Sequence, residues 1–337
     1  MPTTPRRLLR EMLEKHGPLI EEAFLSAVAE VVNGAGVKAI ADALSRADYD
    51  RAIDILGLTE EAFETVGESV RNSYVGSGRS VSGWIDKVSD AEIKLLFKPG
   101  DPIAAEWLRT KSSSLVTRIT EGQRISIREA LSDGMEAGRN PRSVTLDIIG
   151  RRPRGANARQ GGLVGLTRDQ AQRVQRVRSD LLSGDPARMR KYLKMQLRDR
   201  RFDRTVARAI KAGTPLTRTE VDRIAGRLAD RTLQWRGEAI ARTETTQAFH
   251  AAQDHAFGQG IGSGHLPADK VTKTWRSAND ERVRFSHSAL NGVTLPMNEV
   301  FVSPIGSMMK HPGDTSLGAV PGDIIQCRCR LTYEVIE

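Results

Sequence analysis

The sequence has little cysteine, few aromatic residues and no long apolar run, and each shortage removes a class of protein. Two cysteines in 337 residues, Cys327 and Cys329, cannot build the disulfide framework of a small secreted scaffold. A bond between the two is also poor, because extended residues two apart place their Cα atoms about 6–7 Å from each other. A reducing compartment is the simplest setting. No uninterrupted apolar run approaches the ~18 residues that a membrane span needs. The arginines of the first ten residues are followed by neither an apolar core nor a cleavage site. The expectation is a soluble chain with no visible export and no membrane partner. Catalytic motifs are equally scarce. There is no His-Glu-x-x-His, no Walker A, no Gly-x-Ser-x-Gly and no zinc-deaminase pattern. The glycines at 258, 260, 262 and 264 follow a helical pattern rather than a strand, which excludes a dinucleotide loop.

What the chain does have is charge, unevenly placed. Of the net +9, residues 139–242 hold 26 Lys+Arg against 10 Asp+Glu, while residues 1–138 hold 17 against 22 and residues 243–337 hold 8 against 10. One central block carries the whole excess, which points to a polyanionic partner. Arginine outnumbers lysine by 39 to 12, so coding bias and solvated helix faces compete with binding as explanations. Electrostatic attraction needs a clustered surface as well as a clustered sequence. The candidate polyanion contacts are Arg151, Arg152, Arg154 and Arg159 in a Gly/Pro/Arg-rich stretch at 150–165, and Arg173, Arg176 and Arg178 just beyond it. An ordinary surface linker is the competing reading of that stretch.

Periodicity predicts a mostly helical chain. Leu19, Ile20, Ala23, Phe24, Ala27, Val28 and Val31 recur at three- and four-residue steps, with a stop at Asn33–Gly36 and a second helix over Val37–Leu44. Residues 76–83 (GSGRSVSG) read as a flexible connection and 98–102 (KPGDP) as a turn. A helix returns from Ile103 to Ala137. Thr167 with Gln170, and Thr217 with Glu220, are capping boxes that open later helices. Further helices are expected over about 186–211 and 217–257. Past Gly258 short strand-like runs take over: Val271–Trp275, Val293–Leu295, Glu299–Val302 and Ile324–Ile336. In the last, Cys327, Cys329, Leu331, Tyr333 and Val335 alternate onto one face. The expected fold is α+β, a mostly helical N-terminal and central body with a small C-terminal α+β domain. Its expected segments are 1–100, 101–257 and 258–337.

Candidate chemistry gathers in that last segment: Arg242-Thr243-Glu244, Trp275, Asp280, Arg284, His287, His311 and the Cys327-Arg328-Cys329 triplet. Two cysteines with histidines and an aspartate could form a tetrahedral zinc site. The spacing argues against it, since a straight Cys-x-Cys strand holds its sulfurs apart and an apolar face treats cysteine as a small hydrophobe. A Cys/His nucleophile oriented by Asp needs proximity that sequence does not display. Asp280, Arg284 and His287 have the spacing of one helix face, which equally suits a packed polar cluster. Arg242 and Glu244 fall where helix gives way to glycine, where polar side chains are needed to satisfy freed backbone groups.

Taken in order, Ile240-Ala-Arg-Thr-Glu244, Lys273-Thr-Trp275, Asp280-Glu-Arg-Val-Arg284, His287, Leu290-Asn-Gly292, Phe301, His311-Pro-Gly-Asp314 and Cys327-Arg-Cys-Arg330 resemble the Mu F-like minor head proteins of tailed phages. The helical stretch from Gly161 to Glu244 is similar to the body that precedes this domain in longer members. The resemblance implies a minor capsid or head morphogenesis protein without an established reaction. It implies partners in the portal protein and the major capsid or scaffold interior, with phage genomic DNA as a further contact. It implies a place in the virion, in the head interior or at the portal vertex, after assembly in the host cytoplasm. Signature positions carried over are Arg242, Glu244, Trp275, Asp280, Arg284, His287, Gly292, Cys327 and Cys329; His311 departs from the pattern. No cofactor is implied. Zinc on His287, Cys327 and Cys329 stands as the alternative, which would make the protein a metal-dependent, nucleic-acid-directed enzyme.

Overall fold

A computed structural model describes residues 4–88 and 96–336. The chain divides into two compact units that interleave in sequence: residues 1–22, 66–114 and 238–337 form one, and residues 23–65 and 115–237 the other. The expected segments 1–100, 101–257 and 258–337 do not coincide with these units. The α+β expectation holds: among the described residues the body is helical and the strands fall within the last 70 residues. No single helix among the described residues is long and apolar enough to cross a membrane.

In the first unit, parts of α1 (Pro5–Gly34), α4 (Glu64–Val88), α5 (Pro102–Glu136) and α10 (Arg218–Gly262) surround a small sheet. The sheet is antiparallel, ordered β2 (Thr294–Pro296), β1 (Val271–Arg276), β5 (Arg330–Val335). A two-stranded hairpin, β3 (Phe301–Val302) with β4 (Met308–Met309), and two single-turn helices, α11 (Phe285–Ser288) and α12 (Pro321–Ile324), complete it. Alanines at 248, 251, 252 and 256 keep one face of α10 thin, and that face joins Phe249, Phe257, Trp275, Leu331 and Tyr333 in one core.

The GSGRSVSG run is not a connection; it lies inside α4. Its glycines serve close packing, since a Cβ on Gly78 would stand 2.3 Å from the Phe97 ring and one on Gly76 would stand 2.8 Å from His16. Nearby, Tyr74 stacks on Trp107 with ring centroids 4.3 Å apart and meets His255 Nδ1 through its hydroxyl at 2.6 Å. Likewise Gly258, Gly260 and Gly262 continue α10, and the left-handed turn comes at Gly264. At Gly76 and Gly78 close packing holds glycine in a helix that its propensity disfavours, whereas Gly258 and Gly262 are exposed and lie in open space.

The second unit is helical, built from α2 (Val37–Ser45), α3 (Tyr49–Leu56), α6 (Pro141–Ile149), α7 (Arg168–Leu182), α8 (Pro186–Leu193), α9 (Asp203–Ala212) and the remaining parts of α1, α5 and α10. The capping boxes at Thr167/Gln170 and Thr217/Glu220 are present. The helix expected over 186–211 breaks in two, because Asp199 caps a short 3₁₀ turn through the Arg201 N–H. The 150–165 stretch is a loop with an ordered neck: Arg151 and Gln160 exchange two backbone hydrogen bonds of 2.9 Å. Gly161 lies against Gly226, where a Cβ would come within 2.6 Å of the opposing Cα, so only glycine fits. Leu163, Val164 and Leu166 are buried.

A buried ion cluster organises this unit. Asp147 on α6 receives Arg139, Arg151 at 2.8 Å and Arg178 at 3.2 Å, while Asp222 on α10 shares Arg178 at 2.5 Å and Arg151 at 3.1 Å. Burial alone would raise the Asp147 carboxyl, but Arg178, Arg139 and Arg151 outweigh it and hold it below the usual carboxylate range. A carboxyl depressed in the folded state stabilises above its unfolded value, and that contribution disappears as pH falls through the folded one. We therefore expect unfolding midpoints in urea to drop on acidification below about pH 4, and the drop to shrink in Asp147→Asn. At neutral pH Arg178→Met should cost about 3–5 kcal/mol by the same measurement, since it strips a partner from a buried pair.

Candidate functional site

The site forms around one turn. The strand expected over Ile324–Ile336 begins only at Arg330, because Gln326 adopts a left-handed conformation (φ 54°) and the Cys327 N–H turns back to the Ile324 carbonyl. This kink takes Cys327 and Cys329 off a straight strand. Both thiols are buried and both reach the same atom: His287 Nδ1 lies 3.5 Å from Cys327 Sγ and 3.4 Å from Cys329 Sγ. The sequence-based objection to converging sulfurs therefore fails, for the reason that the backbone is bent where a strand was expected.

His287 sits on α11 and is 1% exposed. Its other nitrogen, Nε2, stands 3.4 Å from Asp323 Oδ1. Asp323 is fully buried and accepts hydrogen bonds from Ser286 Oγ (2.6 Å) and Ser303 Oγ (2.7 Å). Burial works against its charge, but the hydroxyls of Ser286, Ser303 and Ser307 and the His287 ring keep the carboxyl below its ordinary range. The 3.4 Å approach lacks the alignment of a hydrogen bond, so Asp323 stands behind the ring while Nδ1 on the opposite edge meets the sulfurs. Trp275 packs edge-on against the ring, with centroids 5.3 Å apart, and fixes its plane. Of the two thiols Cys329 is the acidic one: the hydrogen bond from Cys327 lowers it most, burial opposes, and His287 lowers it further. Cys327 is pushed up by holding the shared proton and by burial.

Two side chains of α10 clamp this turn. Thr243 Oγ1 accepts the Gln326 N–H at 2.9 Å, and His250 Nε2 donates to the Cys329 carbonyl at 3.1 Å. Burial and the neighbouring His311 push His250 down to about 3, so it is neutral at physiological pH. On the open side, a pocket of about 280 Å³ is lined by Arg242, Arg282, Arg284, Arg328, His287 and Cys329 among others. Arg284 braces the turn by donating to the Ile325 carbonyl, and Arg328 pairs with Asp280. Arg242 is half-buried, and its Nε has no hydrogen-bond partner among the described residues.

The remaining signature residues act at a distance from the thiols. Glu244 is buried and paired with buried Lys111 at 2.9 Å. Gly292 (φ 86°) makes the turn that lets its N–H donate to the Trp275 carbonyl at 2.8 Å. Asp280 is exposed and precedes α11, and Arg284 occupies its N-cap, so Asp280, Arg284 and His287 do not share a helix face. His311 is buried elsewhere, its ring 6.3 Å from that of His250. The sequence pattern passed over Asp323, His250 and Lys111, and named Thr243 only as the middle of Arg242-Thr243-Glu244. Only Asp323 left a signal: an acid set between glycine and two isoleucines, four residues before a cysteine.

Residues 200–332 match the family described as Phage Mu protein F like protein. No curated protein and no solved structure matches the chain.

The Lys111–Glu244 pair is the signature contact with the largest expected effect on stability. Glu244→Ala strands a buried ammonium and should lower stability by about 3–5 kcal/mol in urea unfolding. Combining Glu244→Leu with Lys111→Met should restore most of that loss, as removing both charges removes the desolvation cost.

Proposed function

We propose that the protein is a minor head component that docks on the portal or the inner face of the capsid, and that the basic part of its helical unit faces a polyanion there. The observation that carries this reading is the family match over residues 200–332. The arrangement of arginines supports it and narrows it. Arg151 and Arg178 are committed to Asp147 and Asp222, and Arg159 is half-buried and donates to the Gly150 carbonyl. These three hold the fold and are poor surface contacts.

Arg152, Arg154, Arg173 and Arg176 are exposed, and none makes an ion pair among the described residues. Arg154 also lines a groove of about 600 Å³ together with Arg151, Arg201, Arg223 and Arg227, while Asp222 and Asp230 supply its only acids. The predicted polyanion contact thus reduces to the solvent-facing subset. DNA inside a filled head and acidic patches on a portal ring offer the same chemistry, and the salt dependence of binding separates a phosphate backbone from a sparse protein surface.

Co-expression with a portal protein from the same genome should yield a complex through affinity purification. Duplex DNA affinity should fall steeply with salt, and replacing Arg152, Arg154, Arg173 and Arg176 by alanine should lower the log–log slope by about 3–4. No DNA binding at low salt, or an unchanged slope in that variant, removes the nucleic-acid part. Failure to recover the portal removes the docking part.

A further inference from the structure

We propose that His287 Nδ1, Cys327 Sγ and Cys329 Sγ bind one zinc ion, and that its fourth coordination position opens onto the arginine-lined pocket and takes an oxyanion of the phosphate type. The inference is independent of the docking function above.

The geometry comes first. The three candidate ligand atoms lie within 4.8 Å of one another, and among the described residues no other group of this kind occurs. A tetrahedral zinc with Zn–S about 2.3 Å and Zn–N about 2.05 Å has N···S edges of about 3.6 Å. The observed separations are 3.5 and 3.4 Å. Hydrogen bonding explains the same arrangement less well. Hydrogen bonds join these atoms only in series, Cys327 to Cys329 and Cys329 to Nδ1, whereas both sulfurs stand at nearly the same distance from Nδ1. A cation between the three satisfies all of them together.

The surroundings have the form of a metal site's outer layer. Asp323 Oδ1 stands 3.4 Å behind Nε2, the place a carboxylate commonly takes behind a zinc-bound histidine. Its own oxygens are held by Ser286 and Ser303, so it supports the ring and does not ligate. The buried Trp275 Nε1–H has no nitrogen or oxygen partner and is directed at the Cys329 sulfur, which favours a thiolate. The left-handed Gln326 provides the bend that a Cys-x-Cys pair needs to present both sulfurs to one point.

Three protein donors leave one position of a tetrahedron free, the arrangement of an open rather than a closed zinc site. His287 and Cys329 line the pocket, so the free position faces it. Two thiolates neutralise the dication. With the thiolate charge taken up by the metal, the arginines around it remain uncompensated, and among the described residues only Arg328 has a carboxylate partner, Asp280. Arg242 and Arg282 carry no ion pair among the described residues. A neutral metal centre under unpaired guanidinium groups selects an anionic oxygen ligand, and a pocket of about 280 Å³ holds a phosphate group rather than a large molecule.

The test uses the full chain purified under reducing conditions without chelator. Elemental analysis should find one zinc per chain, lost in Cys329→Ser. Reloading the chelated protein with cobalt should produce thiolate-to-cobalt charge-transfer absorption and the intense visible bands of a tetrahedral ion. Inorganic phosphate should shift those bands in the wild type but not in the Arg242→Ala, Arg282→Ala double variant. A 5′-phosphorylated oligonucleotide producing the same shift, with its unphosphorylated form silent, identifies a nucleic-acid end as a source; a response to inorganic phosphate alone identifies the free ion. Should Cys329→Ser fail to fold, alkylation of the wild type decides: zinc should slow modification of both cysteines several-fold. A metal-free chain that takes up neither zinc nor cobalt, with alkylation unaffected by zinc, overturns the site. Bound metal whose spectrum ignores every anion overturns the open position.

Discussion

Asp323 lies in the interior with both oxygens engaged, and separate stretches of chain meet at it. Ser286 comes from α11, Ser303 from the end of β3, and the aspartate itself from α12, just before the cysteine turn. A buried carboxylate is costly unless hydrogen bonds and an opposing charge or dipole compensate it. Here the compensation comes from groups that local secondary structure could not bring together, since these elements are single turns and two-residue strands. Such short pieces have little cooperativity of their own. The carboxylate supplies what regular hydrogen bonding does not, and it brings α11, β3 and α12 together beside His287.

The helical unit solves a similar problem with more charge. Asp147 and Asp222 draw Arg139, Arg151 and Arg178 inward from three regions of the sequence. This divides the basic block into two populations. Some arginines tie α6, α7 and α10 together, and others remain at the surface with full charge. The net +16 of residues 139–242 therefore overstates what a partner would meet, because part of it is consumed by the fold.

How much of this was legible in the sequence depended on whether local pattern or tertiary contact decided the outcome. Amphipathic stripes and capping boxes located α2, α5, α7 and the start of α10, because those signals act within a few residues. Glycine misled in both directions. At Gly76 and Gly78 it marks places where a neighbour packs closely, and at 258–262 the helix simply runs on through it, so chain breaking was the wrong inference at both. The alternation of Cys327, Cys329, Leu331 and Tyr333 did place these residues inside, but it carried no sign of the left-handed Gln326 that bends the first two together. The ordered family motif supplied the membership of His287 and the cysteines in one set. It could not say that Asp280 points away to Arg328 or that Asp323 replaces it behind the histidine.

The loop at 150–165 has a consequence of another kind. Its neck is fixed by the paired backbones of Arg151 and Gln160 and by the glycine contact between Gly161 and Gly226, whereas Arg152, Pro153, Arg154, Gly155, Asn157 and Ala158 are exposed at its tip. A closed neck isolates the tip from the body. Residues there can be exchanged, lengthened or shortened without disturbing the helices, because the cost of extra loop length grows only slowly once the ends are pinned. Evolution is thereby given a segment whose charge can drift to suit a changing partner while the scaffold stays constant, and an experimenter is given an insertion point for a label.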